Sequence, residues 1–126
     1  MRKYLRALLL FLSALLMIFA AFTTTTVSVP HLREDLLEIN VRPTLLGAVM
    51  VGLHFGSFAM FGFGALVLVL SVRAWRAPAG VDRVLIGIIG AVYLLFGIAA
   101  FMWTGSHHTL GYVLMGLLLG GAALVK

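Results

Sequence analysis

Four long apolar stretches free of Asp, Glu, Lys and Arg fill most of this chain, at residues 7–22, 44–72, 84–103 and 110–125. A helix crosses the hydrocarbon core of a bilayer with about 20 residues, in a range of about 17–25. The two shorter stretches reach this length with flanking uncharged or snorkelling residues such as Tyr4, Arg6 and Thr109. The pattern predicts an all-α integral membrane four-helix bundle, with spans at residues 4–22, 44–72, 83–103 and 108–125.

The cationic residues are distributed unequally between the two ends of these spans. Seven of the nine lysines and arginines fall at one end: Arg2, Lys3, Arg6, Arg73, Arg76, Arg83 and Lys126. The other end carries Arg33 and Arg42 beside three acidic residues. Because cytoplasmic segments carry the excess of positive charge, we expect a multi-pass protein of the cell membrane with both termini in the cytoplasm. The same distribution argues that the net charge of +5 reflects topology and not a nucleic-acid partner.

The composition indicates a single domain that lies almost entirely in lipid. The chain is 63% hydrophobic and 10% charged, whereas soluble domains carry about 25% charged residues. We therefore treat residues 1–126 as a single transmembrane domain whose main partner is the lipid bilayer. The chain has no cysteine, which excludes disulfides and thiol chemistry. The basic start and Ala20–Ala21 resemble a signal peptide, but we interpret this segment as a retained first span.

The segment between the first two spans, residues 23–43, is predicted to lie outside. Its β-branched run at residues 23–26 favours extended chain. Leu32, Leu36 and Ile39 then recur at helical spacing, which predicts a short amphipathic helix on the outer membrane surface. Pro43 is expected to begin span 2. A turn at residues 78–80 and another at residues 105–109 connect the remaining spans.

Glycine recurs within the spans at the spacing that lets membrane helices approach closely. Without a hydrophobic force between helices in lipid, association depends on packing at small residues. The predicted packing positions are Gly52 and Gly56 in span 2, Gly90 and Gly97 in span 3, and Gly116 and Gly120 in span 4. They serve either packing within the monomer or contact with another chain.

His54 is the one histidine predicted to lie inside a span. Counted from Pro43, it is about 16 Å into the bilayer, near the middle of a core about 30 Å thick. The same count brings Tyr93 and Ser13 to a similar depth. We predict a cluster of these three side chains, because an unpaired polar group in lipid is costly. His54 is then either a hydrogen-bonded packing residue or part of a ligand-binding or proton-relay site.

The orientation of span 2 links His54 to the glycine positions. At about 100° per residue, His54 is about 200° from both Gly52 and Gly56. If His54 faces the interior, the two glycines face outward toward a partner chain. The opposite orientation would turn His54 toward lipid, which the cost of an unpaired imidazole disfavours.

Three further histidines are weak candidates for a metal site: His31, His107 and His108. They are predicted on the outer side with several carboxylates, but their spacing matches no ligand pattern. A haem would need a second histidine level with His54, so only a haem shared between two copies could use it. We predict no cofactor, no metal and no catalytic residue.

The sequence therefore favours a non-enzymatic, accessory or structural membrane protein. It would associate through glycine-rich helix faces, either with itself as a homo-oligomer or with a larger membrane complex. Two alternatives remain open. One is a small transporter or channel, and the other is a membrane enzyme or lipid-binding protein that uses a His54/Tyr93 site.

Overall fold

The computed structural model describes residues 2–77 and 81–125, with side chains from residue 4 onward. Its α-helices are α1 (Arg2–Thr23), α2 (Val29–Glu38), α3 (Pro43–Arg76), α4 (Arg83–Thr104) and α5 (Leu110–Leu124). No strand occurs in these residues, so the predicted all-α class is confirmed for them. Four helical segments are long and apolar enough to cross a membrane: Tyr4–Glu38, Pro43–Arg76, Arg83–Thr104 and His107–Leu124. The predicted turn at residues 78–80 lies outside the described residues.

The helix ends follow from local sequence. Pro43 is the first residue of α3, as predicted, where its missing N–H is not needed. The Asp82 carboxylate caps α4 by accepting hydrogen bonds from the N–H groups of Val84 at 2.9 Å and Leu85 at 3.2 Å. Gly105 ends α4 with a positive φ of 63°, and the short 3-10 turn His107–Thr109 leads into α5.

The expectation of extended chain at residues 23–26 is wrong. The helix continues from α1 through a π-helical segment, Thr24–Ser28, into α2. Threonine hydroxyls stabilise it by donating to carbonyl groups one turn earlier, from Thr25 to Ala21 at 2.9 Å and from Thr26 to Phe22 at 2.8 Å. This local bonding, which threonine makes readily in helices, outweighs the β-branched preference. The predicted amphipathic helix therefore exists as α2, but it is an extension of α1.

The helices α3, α1, α5 and α4 pack side by side in that order. α1 lies against both α3 and α5, and α4 packs on α5, whereas α3 and α4 do not pack along their lengths. The largest fully buried side chains are Leu10, Ser13, Met17, Val67, Ile86 and Leu119. The Ser71 hydroxyl on α3 donates to the carbonyl of Ala7 at 2.8 Å. The buried Arg6 guanidinium donates to the carbonyl of Val125, at the end of α5.

Contacts between neighbouring helices set their relative heights. The contacts are Ser71 with Ala7, Leu9 with Gly121, and Gly97 with Val113. Counting along the helices from them places Thr104, the last residue of α4, level with Thr24 on α1 and His54 on α3.

α2 and the start of α3 consequently project past the other helices. Residues 43–54 of α3 extend about 16 Å beyond the end of α4, at 1.5 Å per residue. No residue of α3 before Ser57 is buried, and Val29 is the buried residue of α2. We call α2, residues 39–42 and residues 43–54 the projecting hairpin. Its α2 packs on α3 and on the adjoining π-helical segment.

Candidate functional site

An apolar cavity of about 360 Å³ lies between α3 and the α4–α5 pair. It exists because α3 and α4 do not pack on each other. Its α3 wall contains Gly52, Gly56 and Phe63, and a Cβ added to either glycine would meet nothing within 4 Å. The glycine face predicted for helix contact thus forms one side of an open space.

The opposite wall of the cavity is aromatic. Tyr93 and Phe96 come from α4, and Tyr112 comes from α5. The ring of Tyr112 meets Phe96 edge-on at 5.1 Å between centroids and lies 6.4 Å from the ring of Tyr93. These contacts hold the three rings together as one surface.

The cavity contains hydroxyl groups but no charged side chain. The Ser57 hydroxyl donates to the carbonyl of Leu53 at 3.1 Å. The hydroxyls of Thr24, Tyr93 and Tyr112 make no hydrogen bond to any described residue. Thr24 differs in this from the other threonines of its run, which all bond to carbonyls of the preceding turn. The lining therefore offers a mainly apolar surface with a few free hydroxyls, a composition typical of sites for apolar or amphipathic ligands.

His54 does not belong to this cavity. Its side chain is exposed, it is not among the lining residues, and it makes no hydrogen bond within the described part of the chain. The expected match in depth with Tyr93 is wrong, because α3 begins well beyond the end of α4. By helix register, His54 is about 17 Å farther along the bundle axis than Tyr93.

The structure does not bring the three predicted side chains together. Ser13 is level with Tyr93 but fully buried in α1, and its hydroxyl has no partner among the described residues. Tyr93 lines the cavity, and His54 faces away from it. Of the two orientations considered for α3, the structure has Gly52 and Gly56 toward the bundle and His54 outward.

Three predicted glycines form the contact between α4 and α5. A Cβ added at Gly97 would be 2.6 Å from the Val113 nitrogen, and one added at Gly116 would be 2.6 Å from the Leu94 nitrogen. A Cβ added at Gly90 would be 3.0 Å from the Gly120 nitrogen. These distances leave no room for a side chain. Gly120 contributes backbone to this contact, although a Cβ of its own would meet nothing within 4 Å.

The corresponding glycine contact between α1 and α3 was not predicted from the sequence. A Cβ at Gly64 would lie 2.8 Å from Cγ1 of Ile18. Gly64 lies midway between the buried Ser57 and Ser71, at a spacing of seven residues. This heptad of small residues is the signal that could have identified the α3 face that packs on α1.

The three histidines predicted on the outer side do not come together with other metal-ligating side chains in the described part of the chain. His31, His107 and His108 are exposed. Among the residues that the structure describes, no three His, Cys, Asp or Glu side chains come close enough to share a metal ion.

Comparison with protein-family models, curated proteins and solved structures found no match to this chain.

Proposed function

We propose that this chain is a four-span accessory or structural membrane protein, with both termini in the cytoplasm, whose projecting hairpin is covered by another protein of a membrane complex. The observation that supports this most is an apolar stretch of α3 that extends past the end of α4 and contains no buried residue.

The two tryptophans support one position for the bilayer. Trp75 and Trp103 are both exposed, as is typical of side chains that anchor at membrane interfaces. Helix register separates their levels by about 20 residues, or about 30 Å along the axis. This equals the thickness of the hydrocarbon core, about 30 Å. The packed parts of all four helical segments then fill the core, and His54 lies at its outer boundary.

Tilting cannot bring all of α3 into the core. Its 34 residues make a helix about 51 Å long. Even the largest usual tilt, about 40°, leaves about 39 Å along the bilayer normal. With Trp75 at the inner interface, this excess supports a position beyond the hydrocarbon, on the outer side, for part of the projecting hairpin.

The part of α3 that leaves the core has the composition of a buried surface. Residues 43–54 contain no charged side chain. Leu45 is 55% exposed and Val51 is 70% exposed. Apolar patches that face water mark interaction sites, so this surface supports docking of a partner protein.

Single-cysteine variants test the docking directly, because the natural chain has no cysteine. Leu45→Cys and Val51→Cys would be treated from outside with a membrane-impermeant maleimide. In the purified chain in lipid nanodiscs, both positions should react. In native membranes, both should be protected by the partner. His108→Cys, in the outer turn between α4 and α5, is the matched control and should react in both preparations.

Two results would contradict the proposal. Equal reaction of Val51→Cys in nanodiscs and in native membranes would mean that nothing covers the hairpin. Protection of Val51→Cys in both preparations, with His108→Cys reactive, would mean that residues 43–54 lie within lipid.

A further inference from the structure

We infer that the cavity between α3 and the α4–α5 pair holds one acyl chain of a phospholipid from the outer leaflet, with the Thr24 hydroxyl at its mouth. The inference uses the bilayer position proposed above but does not depend on the docking of the hairpin. It rests on the length, opening, chemistry and polar end of the cavity.

The cavity runs from the outer interface to the middle of the bilayer. Its lining along α3 extends from Gly52 to Phe63, a rise of about 16 Å. At the other side it reaches Tyr93, which is level with the midpoint between the two tryptophans. One leaflet contributes about 15 Å of a core about 30 Å thick. The cavity therefore has the length and the depth of a single acyl chain of the outer leaflet.

The opening of the cavity faces the bilayer. α3 and α4 do not pack along their lengths, so a chain can enter sideways between them. Within the cavity it would lie between the bare backbone at Gly52 and Gly56 and the rings of Phe96 and Tyr112. The volume of about 360 Å³ is at the lower end of the range for small-molecule sites, about 300–1,000 Å³. A charged headgroup would find no charged side chain inside, which restricts the occupant to the apolar part of the lipid.

The polar end of the lipid meets a free hydroxyl. Thr24 is level with the outer end of α4, where ester groups lie in the proposed bilayer position. Its hydroxyl is the one in the threonine run that makes no hydrogen bond to a described residue. Thr24 also begins the π-helical segment, a type of irregularity frequent at functional sites. The hydroxyl can donate to an ester carbonyl of the bound phospholipid.

Photolabelling of the chain in nanodiscs tests the site. The probe is a phosphatidylglycerol with a diazirine in the middle of one acyl chain, added in trace amount to unlabelled phosphatidylglycerol. Peptide mass spectrometry would map the adducts. We expect Met60, Phe96 and Tyr112 to be labelled more strongly than Leu95, which is 68% exposed and outside the cavity.

Two glycine variants separate the cavity from the general lipid surface. Gly56→Leu places a side chain in the cavity and should lower the cavity adducts by about tenfold or more, because it competes for filled space. Gly62→Leu is the matched control, since its Cβ also meets nothing within 4 Å but Gly62 does not line the cavity. Thr24→Val should lower the cavity adducts about 2- to 10-fold by removing one hydrogen bond.

The labelling results distinguish failure of the acyl-chain site from failure of the proposed bilayer position. Adducts at Leu95 that equal those in the cavity, or cavity adducts unchanged by Gly56→Leu, would overturn the acyl-chain site and leave membrane insertion intact. Loss of labelling at Leu95 as well would instead overturn the proposed position in the bilayer.

Discussion

At the scale of single residues, the glycines inside the helices have different surroundings. Gly52 and Gly56 border an open cavity. At Gly97 and Gly116, by contrast, the backbones of α4 and α5 lie in direct contact. The sequence could identify these positions as small residues within helices, where close packing is possible. It could not tell which faces are in contact, because that depends on the rotation and height of each helix.

This difference predicts opposite effects of adding one methyl group. Gly97→Ala would place a Cβ 2.6 Å from the Val113 nitrogen and should lower the free energy of unfolding by about 1–3 kcal/mol. Gly62→Ala has open space and should be neutral or stabilising by up to about 1 kcal/mol, because alanine favours helix. Unfolding in mixed micelles with increasing dodecyl sulfate measures both. Equal effects of the two variants would contradict the close approach of α4 and α5.

At the scale of elements, the joining of α1 to α3 depends on a line of small residues. Ser57, Gly64 and Ser71 recur every seven positions and are buried, and Gly64 and Ser71 contact α1 directly. Ser71 adds a buried hydrogen bond to the Ala7 carbonyl. The existence of each helix was predictable from apolar length alone. The continuation of α1 into α2 was not predictable in this way, because it depends on threonine hydroxyls that donate hydrogen bonds to carbonyl groups of the preceding turn.

The two serines of this line make different bonds, and this predicts different effects. Ser71→Ala removes a bond between helices and should cost about 0.6–2 kcal/mol of stability, the range for such bonds in membranes. Ser57→Ala removes a bond within α3, to the Leu53 carbonyl, and should change stability by less. The same unfolding titration compares them. If Ser57→Ala were as costly as Ser71→Ala, the bond to Ala7 would not contribute to helix association.

At the scale of the whole molecule, unequal helix lengths determine the shape. The segments Tyr4–Glu38 and Pro43–Arg76 are much longer than α4 and α5. The ends of these helices near Trp75 are level, so the excess length appears at the opposite end as the projecting hairpin. Sequence reasoning placed Pro43 at the bilayer surface and so assigned His54 to the middle. The relative heights of the helices are set by contacts between segments that are distant in sequence, such as Ser71 with Ala7. The length of an apolar stretch does not predict these contacts.

The depth of residue 54 in the bilayer shows whether α3 projects beyond the hydrocarbon core. Spin labels at His54→Cys, Trp103→Cys and Leu95→Cys in nanodiscs would be compared by their collisions with oxygen and with a water-soluble nickel complex. We expect residue 54 to match residue 103, with high access to nickel, and residue 95 to favour oxygen as a position deep in lipid. If residue 54 matches residue 95 instead, α3 does not project from the bilayer, and both the docking surface and the position of the acyl-chain site are wrong.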